Sequence, residues 1–231
     1  MARKKIVVLS GAGISAESGI KTFRDADGLW EGHDVMEVAS AQGWKANKEL
    51  VLKFYNDRRR QLLEVSPNEA HKALVTLERD FDVHIVTQNV DDLHERAGST
   101  QIIHLHGELL KARSTQDEND IIPWTTDIQL GDLCTKGAQL RPHIVWFGEQ
   151  VPLLDQAASL VSLADYIIIV GTSMQVYPAA SLINFAKDTA HTYFVDPNPS
   201  ISERSQLTIY PEKASTGIAK VVQHIQSNAV S

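Results

Sequence analysis

The sequence predicts an α/β protein built on a doubly wound parallel sheet. Three observations carry that expectation. Short apolar runs rich in β-branched residues recur along the chain, as strands buried on both faces require. Helical patterns with apolar residues three and four apart lie between them. The first run leads directly into a glycine turn, GAG, where a sheet of this class binds ligands.

Taken in order, IVVL (6–9) reads as the first strand. NKELVLKFYNDRRRQLLEV (47–65) and NEAHKALVTLERD (68–80) read as helices. VHIVT (83–87) is a second buried strand. PLLDQAASLVSLA (152–164) is a further helix, followed by strands YIIIVG (166–171) and TYFVD (192–196). One region breaks the rhythm. Residues 111–141 are polar, lack a period, and read as an insert between elements of the main fold. A single domain over 1–231 is expected, with small-lobe insertions at about 24–75 and 111–141.

Of the 231 residues 43% are hydrophobic, the mean hydropathy is -0.18, and the formal net charge is -7. The acidic balance argues against a nucleic-acid binder, which needs a basic surface. Cys134 is the single cysteine, so no internal disulfide can form, which fits a reducing cytoplasm. The apolar run near the N-terminus is too short for a signal peptide, and no run reaches the roughly 20 residues of a membrane span. With no exposed apolar helix evident, a monomer is expected.

Several motifs fall at strand ends. GAGISA suits either a glycine turn at a buried strand end or a nucleotide loop, in which Gly11 permits a tight turn, Gly13 lets a pyrophosphate approach a helix N-terminus, and Ala16 packs closely. The acid that usually binds the ribose after a second strand is missing; the polar loop TFRDADGLWEG stands there instead. In TQNVDDLHERAG (87–98), Gln88, Asn89 and Asp91 suit a ligand site or an ordinary helix cap equally. IIHLHGE sets His104 and His106 on one side of an extended segment. They could be metal ligands, structural histidines, or one structural residue and one base. RPHIVWFGE (141–149) could pair with an extended peptide or form a buried strand and turn. GTS at 171–173 and VDPNPS with Asp196 and Asn198 repeat the strand-end arrangement, where turns and caps are the plainer alternative.

Together and in this order, GAGISAESGI, TFRDADGLW, TQNVDDLHERAG, HLHG, RPHIVWFGE and GTS resemble the sirtuins, the NAD-dependent protein-lysine deacylases. The resemblance runs from about residue 6 to the C-terminus. It implies a Rossmann-like NAD domain with a small lobe. It implies NAD contacts from Gly11, Ala12, Gly13, Glu17, Thr22, Phe23, Arg24, Trp30, Gln88, Asn89, Asp91, Gly171, Thr172, Ser173, Asp196, Asn198 and Ala214. NAD would be consumed. The acyl oxygen of an acylated lysine displaces nicotinamide to give an alkylimidate, and His106 as general base activates a ribose hydroxyl against it. The products are free lysine, nicotinamide and O-acyl-ADP-ribose. Val145, Phe147, Gly148 and Glu149 would line the peptide cleft.

The resemblance also gives meaning to Tyr55 and Arg58, which sit three apart on one helix face. In the branch that removes succinyl and malonyl groups, such a pair lines the acyl pocket, and a guanidinium suits a terminal carboxylate. Arg59 and Arg60 are expected to turn elsewhere and be solvated or paired locally. The alternatives are an NAD-binding or sensing module without deacylation, and a protein mono-ADP-ribosyltransferase.

The departure lies in the insert. The family usually carries two cysteine pairs there for structural zinc. Here the first pair reads Ser114 and Asp117, and only Cys134 stands near the second. One thiol and no histidine cannot supply a tetrahedral thiolate or imidazole set, so no zinc is expected. Ile121, Ile122, Trp124, Ile128, Leu130 and Leu133 are expected to form a mini-core in its place.

Overall fold

Alternating strands and helices produce a six-stranded sheet in which every pairing is parallel. The computed structural model describes residues 3–21, 29–199 and 205–229. Strands β1 (Lys5–Ser10), β4 (Asp82–Thr87), β5 (Ile102–His104), β9 (Tyr166–Val170), β10 (His191–Val195) and β11 (Leu207–Tyr210) run in the order β11-β10-β9-β1-β4-β5. The four expected strands are present. The short edge strands β5 and β11 complete the sheet. The chain moves one way from β1 through β4 to β5, then returns to the other side of β1 for β9 to β11. That reversal is a topological switch point, and ligands bind outside the carboxyl ends of the strands there.

Both faces of the sheet are covered. Helices α4 (Glu69–Leu77) and α7 (Ala214–Ala229) pack on one face, where Leu74, Leu77, Ile218 and Ile225 are wholly buried with Ile6, Val8 and Ile85. Helix α6 (Leu154–Leu163) and the 3-10 segment Ala179–Phe185 cover the other, against Val7, Leu9 and Ile169. Seating α4 against the sheet fixes the entry and exit of the helical segment that precedes it.

That segment joins a second layer. It holds the hairpin β2 (Leu29–Trp30) and β3 (His33–Asp34), then α1 (Val35–Val38), α2 (Ala41–Ala46) and α3 (Lys48–Glu64). Asn47 caps α3 by accepting from the Leu50 N–H at 3.0 Å. The other part is an antiparallel sheet of β6 (Gly107–Ser114), β7 (Ile121–Pro123) and β8 (Leu140–Ile144), in the order β7-β6-β8. Leu52, Phe54, Tyr55 and Leu62 of α3 share a core with Leu109, Ala112, Leu140 and Ile144 of this sheet.

The expected mini-core needs correction. Of its six residues Ile128 alone is fully buried, and Ile122 and Trp124 pack half-buried beside it. Ile121, Leu130 and Leu133 stay 40–55% exposed. A thin sheet lying on one helix has one dry face, so its remaining side chains meet water. Polar stitches do much of the holding. Asn56 on α3 takes both backbone groups of Ile128, its Nδ2 donating to the carbonyl and its Oδ1 accepting from the N–H, each at 2.9 Å. Arg60 pairs with Asp127. Gln139 donates to the carbonyls of Gln129 and Asp132. Where the zinc pairs would fall, Cys134 contacts the Ser114 hydroxyl at 3.4 Å and Asp117 pairs with Lys136 at 2.7 Å.

Candidate functional site

Parallel register brings three strand ends into line. Ser10 of β1 lies opposite Thr87 of β4 and Val170 of β9, so Gly11, Gln88 and Gly171 follow as neighbours at one edge. The loops after β1 and β9 then touch backbone to backbone. Gly13 donates its N–H to the Gly171 carbonyl at 2.8 Å. A Cβ on Gly171, whose φ is 63°, would lie 2.2 Å from the Ile14 nitrogen. These glycines are required by loop-on-loop packing. The expected helix after GAG is also corrected. Two 3-10 turns, Ala12–Ile14 and Ala16–Ser18, stand there and end at Gly19. Glu17 lies on the second turn and accepts from the Ser215 N–H and hydroxyl at the start of α7, beside buried Ala214.

Within this edge a buried polar chain forms. Asn89 Nδ2 donates to Ser15 Oγ at 3.1 Å, and the Ser15 hydroxyl donates to Asp91 Oδ2 at 2.9 Å. Burial pushes the Asp91 carboxyl up to about 6, against the pull of the Leu93 N–H and Ser15. Ser15 was not singled out from the sequence; it sat inside a glycine motif that read as a helix start. With its amide nitrogen engaged, Asn89 keeps Oδ1 without a hydrogen-bond partner among the described residues. Gln88 donates to Thr172 Oγ1 at 3.2 Å, joining the β4 and β9 loops; Ser173 follows, half-buried.

The two histidines separate. His104 Nδ1 donates to the Asn89 carbonyl at 3.0 Å and its Nε2 bonds Glu95 at 2.7 Å. Burial lowers its pKa, but the Glu95 hydrogen bond and charge outweigh that, so the net shift is upward. His106 Nδ1 donates to the Gln88 carbonyl at 3.0 Å, which leaves Nε2 deprotonated and without a partner among the described residues. Burial lowers the His106 pKa, so its imidazole is neutral at pH 7. His104 has spent both nitrogens, and His106 has kept one.

Next to this edge lies a narrow cavity of about 50 Å³. Ile20, Trp30, Tyr55, Arg58, Val90 and Asp91 are among its walls, so it borders the polar chain through Asp91. Tyr55 is fully buried and its oxygen accepts from Trp146 Nε1 at 3.0 Å; burial raises its pKa. Arg58 Nε and Nη1 are buried with no hydrogen-bond partner among the described residues. Its neighbours in the triplet differ. Arg60 is solvated and paired, as expected. Arg59 is wholly buried, which corrects the expectation of a solvated or locally paired charge. Its Nε donates to the Leu109 carbonyl at 3.1 Å and Nη1 to Asn56 at 2.7 Å. The cause is helical phase, because α3 carries β6 on the side where Arg59 points.

Val145 is tied to the histidine segment, its N–H donating to the His106 carbonyl at 2.9 Å. Phe147 and Gly148 are exposed beyond it, and Phe147 bridges to Ser40. Glu149 turns inward. Its carboxylate meets Arg141 at 2.7 Å, Arg113 at 3.1 Å and the Trp146 N–H at 2.9 Å. Arg141 lies 3.3 Å over the Trp146 ring. Glu149 therefore braces Trp146, which braces Tyr55, and it presents no free carboxylate to a cleft. On the far side Asp196 is buried and caps its own turn by accepting from the Asn198 N–H at 2.9 Å; Asn198 is exposed. Thr22, Phe23 and Arg24 lie outside the described residues.

A family model described as the Sir2 family matches residues 11–178. An NAD-dependent protein deacylase of Helicobacter pylori is 66% identical over 194 residues, covering 84% of this chain and 85% of that protein. One of Bacteroides thetaiotaomicron is 47% identical over 227 residues, covering 95% and 97%. Among solved structures, a mutant Sir2 homologue in complex with ADP-ribose superposes with a TM-score of 0.88. It is 39% identical and covers 99% of this chain and 94% of that one. A Sir2 homologue in complex with NAD gives 0.86 at 40% identity, covering 98% and 91%.

Proposed function

The chain belongs to the Sir2 family, and from that membership we propose an NAD-dependent protein-lysine deacylase with a preference for acidic acyl groups such as succinyl and malonyl. The observation that carries the reading is the contrast inside the site. Most polar groups at the sheet edge are hydrogen-bonded to one another, while His106 Nε2, Asn89 Oδ1 and, in the adjoining cavity, Arg58 Nε and Nη1 make no hydrogen bond among the described residues.

The residues present suit NAD. The loops after β1, β4 and β9 meet at the switch point, where this sheet class holds dinucleotides. Gly11, Ala12, Gly13 and Trp30 would hold it from the β1 side, and Gly171, Thr172 and Ser173 from the β9 side. Asp196, Asn198 and Ala214 would close the adenosine end. When bound, NAD supplies the electrophilic ribose carbon and a nicotinamide leaving group. Asn89, fixed by Ser15, offers an amide oxygen to a ribose hydroxyl. Gln88 and Asp91 border the same place. His106 accepts a hydroxyl proton at Nε2. Its Nδ1–H is anchored on the Gln88 carbonyl, which fixes the tautomer that this base needs. The acylated lysine would reach the site along Val145, Phe147 and Gly148, with its acyl group in the Tyr55–Arg58 cavity.

A guanidinium in an enclosed pocket with unfilled donors is matched by a terminal carboxylate. Desuccinylation by Arg58→Met should therefore fall by roughly 2–4 kcal/mol in kcat/KM, with deacetylation much less affected. A panel of acyl-lysine peptides with NAD, followed by nicotinamide release and peptide mass, checks this. Equal losses on both substrates would make Arg58 structural. NAD binding without nicotinamide release would favour a sensing module, and ADP-ribose found on protein would favour a transferase. No helix among the described residues is long and apolar enough to cross a membrane. We assign the enzyme to the cytoplasm as a monomer.

A further inference from the structure

Glu31 is the first of two residues in the turn between β2 and β3. Leu29 pairs with Asp34 and Trp30 with His33, leaving Glu31 and Gly32 between them. Both are left-handed, with φ of 51° and 82°. Two successive positive φ values define the type I′ turn, which is served by Asn, Asp or Gly at its first position. A glutamate there strains its Cβ against the backbone. The turn chemistry does not ask for this residue.

Its carboxylate explains the choice. Oε2 lies 3.2 Å from the Lys21 ammonium, and Oε1 lies 3.6 Å from Arg58 Nη1. The Glu31 and Arg58 side chains are only 13% and 18% exposed, whereas Lys21 stands in water at 66%. At 3.6 Å the Arg58 contact is an ion pair without a hydrogen bond, consistent with the unfilled Nε and Nη1 of the guanidinium. Glu31 and Arg58 both line the acyl cavity, so the strained turn delivers a carboxylate to the group read above as the acid receptor.

We propose that Glu31 sets the balance between uncharged and acidic acyl groups by acting as an internal counter-ion to Arg58. This rests on the reading of Arg58 as a carboxylate receptor. When an uncharged acyl group fills the cavity, Glu31 stays beside Arg58, and no enclosed cation is left unpaired. When an acidic acyl group enters, its carboxylate takes the open fork with hydrogen bonds that Glu31 does not make. Glu31 then gives up a contact but keeps Lys21 on its other oxygen. The pocket so accepts both classes, and acidic groups bind against a competing carboxylate.

The test measures kcat and KM for succinyl-lysine and acetyl-lysine peptides with Glu31→Gln and Glu31→Asn. The first keeps the side-chain shape, and the second suits the turn while removing the charge. In both, the succinyl-to-acetyl ratio of kcat/KM should rise by about 5- to 20-fold, mainly through a lower KM for the succinyl peptide. Arg58→Met is assayed alongside. If it loses succinyl activity selectively while both Glu31 variants leave the ratio within about twofold of native, the proposal is overturned and the receptor reading stands. A ratio that falls in the Glu31 variants overturns it as well. If Arg58→Met loses both activities equally, the receptor reading and the proposal fall together.

Discussion

The sheet edge and the small lobe are both rich in buried polar residues, yet they use them in different ways. In the lobe many such groups close on another part of the protein, although Arg59 Nη2, Asp120 Oδ2, Arg141 Nε and His143 Nδ1 are buried without a hydrogen-bond partner among the described residues. Asn56 satisfies Ile128 twice and Arg59 once, and Gln139 stitches three carbonyls. At the edge the same kinds of residue stop short. Asn89 commits its nitrogen and withholds its oxygen, and His106 commits Nδ1 and withholds Nε2. Neither withheld atom is among the sealed, unpartnered polar atoms of the described residues, so each stays open at the edge for a ligand to fill. The adjacent histidines repeat the contrast at close range, since His104 is spent on both sides and His106 on one.

If the contrast holds, substitution at the edge should remove activity and spare the fold. His106→Ala should lower product formation by at least about 10²-fold, the usual scale for a general base. Its melting temperature should stay near native, because the Gln88 carbonyl remains open to the edge loop and water. Steady-state deacylation and thermal unfolding of one preparation check both halves. Near-native turnover would remove His106 from the chemistry. Loss of fold and activity together would place His106 with the spent residues.

Substitution in the lobe should do the reverse. Asn56→Ala strands the Ile128 N–H and carbonyl and one Arg59 nitrogen in a buried place. Unpaired buried groups of this kind cost about 1–3 kcal/mol each, not fully additively, so a loss of about 3 kcal/mol is expected. For a chain of this size that lowers Tm by roughly 6–12 °C. Turnover of the molecules that remain folded should change little. Burial presses the Arg59 pKa down to about 10, so the guanidinium stays charged at neutral pH and loses a partner it needs. An unchanged Tm would mean that the stitches are dispensable.

Much of the edge was legible in the sequence because strands are local and parallel register is simple. Once 6–9, 83–87 and 166–171 read as parallel strands, Gly11, Gln88, Asn89, Asp91 and Gly171 fall at carboxyl ends, and the sheet order then makes those ends neighbours. What escaped depended on tertiary choices. Ser15 joins Asn89 to Asp91 only because two 3-10 turns replace a helix. Glu31 depends on a turn type set by hairpin pairing. Arg59 was misread because helix periodicity says which residues share a face but not which face the lobe will cover. The resemblance alone put Glu149 in the cleft; two arginines from neighbouring strands hold its carboxylate inward.

The smallest effect expected is none, and it bears on how the lobe is held. The resemblance read from the sequence implies a lobe tied by zinc on two cysteine pairs. The donor set here does not suit that ion. Between residues 111 and 141 the chain has one thiol and no histidine, and no metal-binding group of three His, Cys, Asp or Glu side chains occurs among the described residues. The positions that correspond to ligands are engaged otherwise: Ser114 meets Cys134, and Asp117 meets Lys136. An ammonium beside a would-be ligand opposes a divalent cation by charge, and a serine hydroxyl is a poor substitute for a thiolate. If the stitches carry the lobe, a chelator should leave both Tm and deacylation unchanged, and metal analysis should find well under one zinc per chain. A chelator-induced fall in Tm would show that a metal shares the load. Ser114→Ala gives the finer control, because it removes only the weak contact to Cys134 and the turn it caps. It should cost about 1 kcal/mol, well below the loss from Asn56→Ala. A loss from Ser114→Ala as large as that from Asn56→Ala would move the centre of the lobe's stability to the Ser114–Cys134 contact.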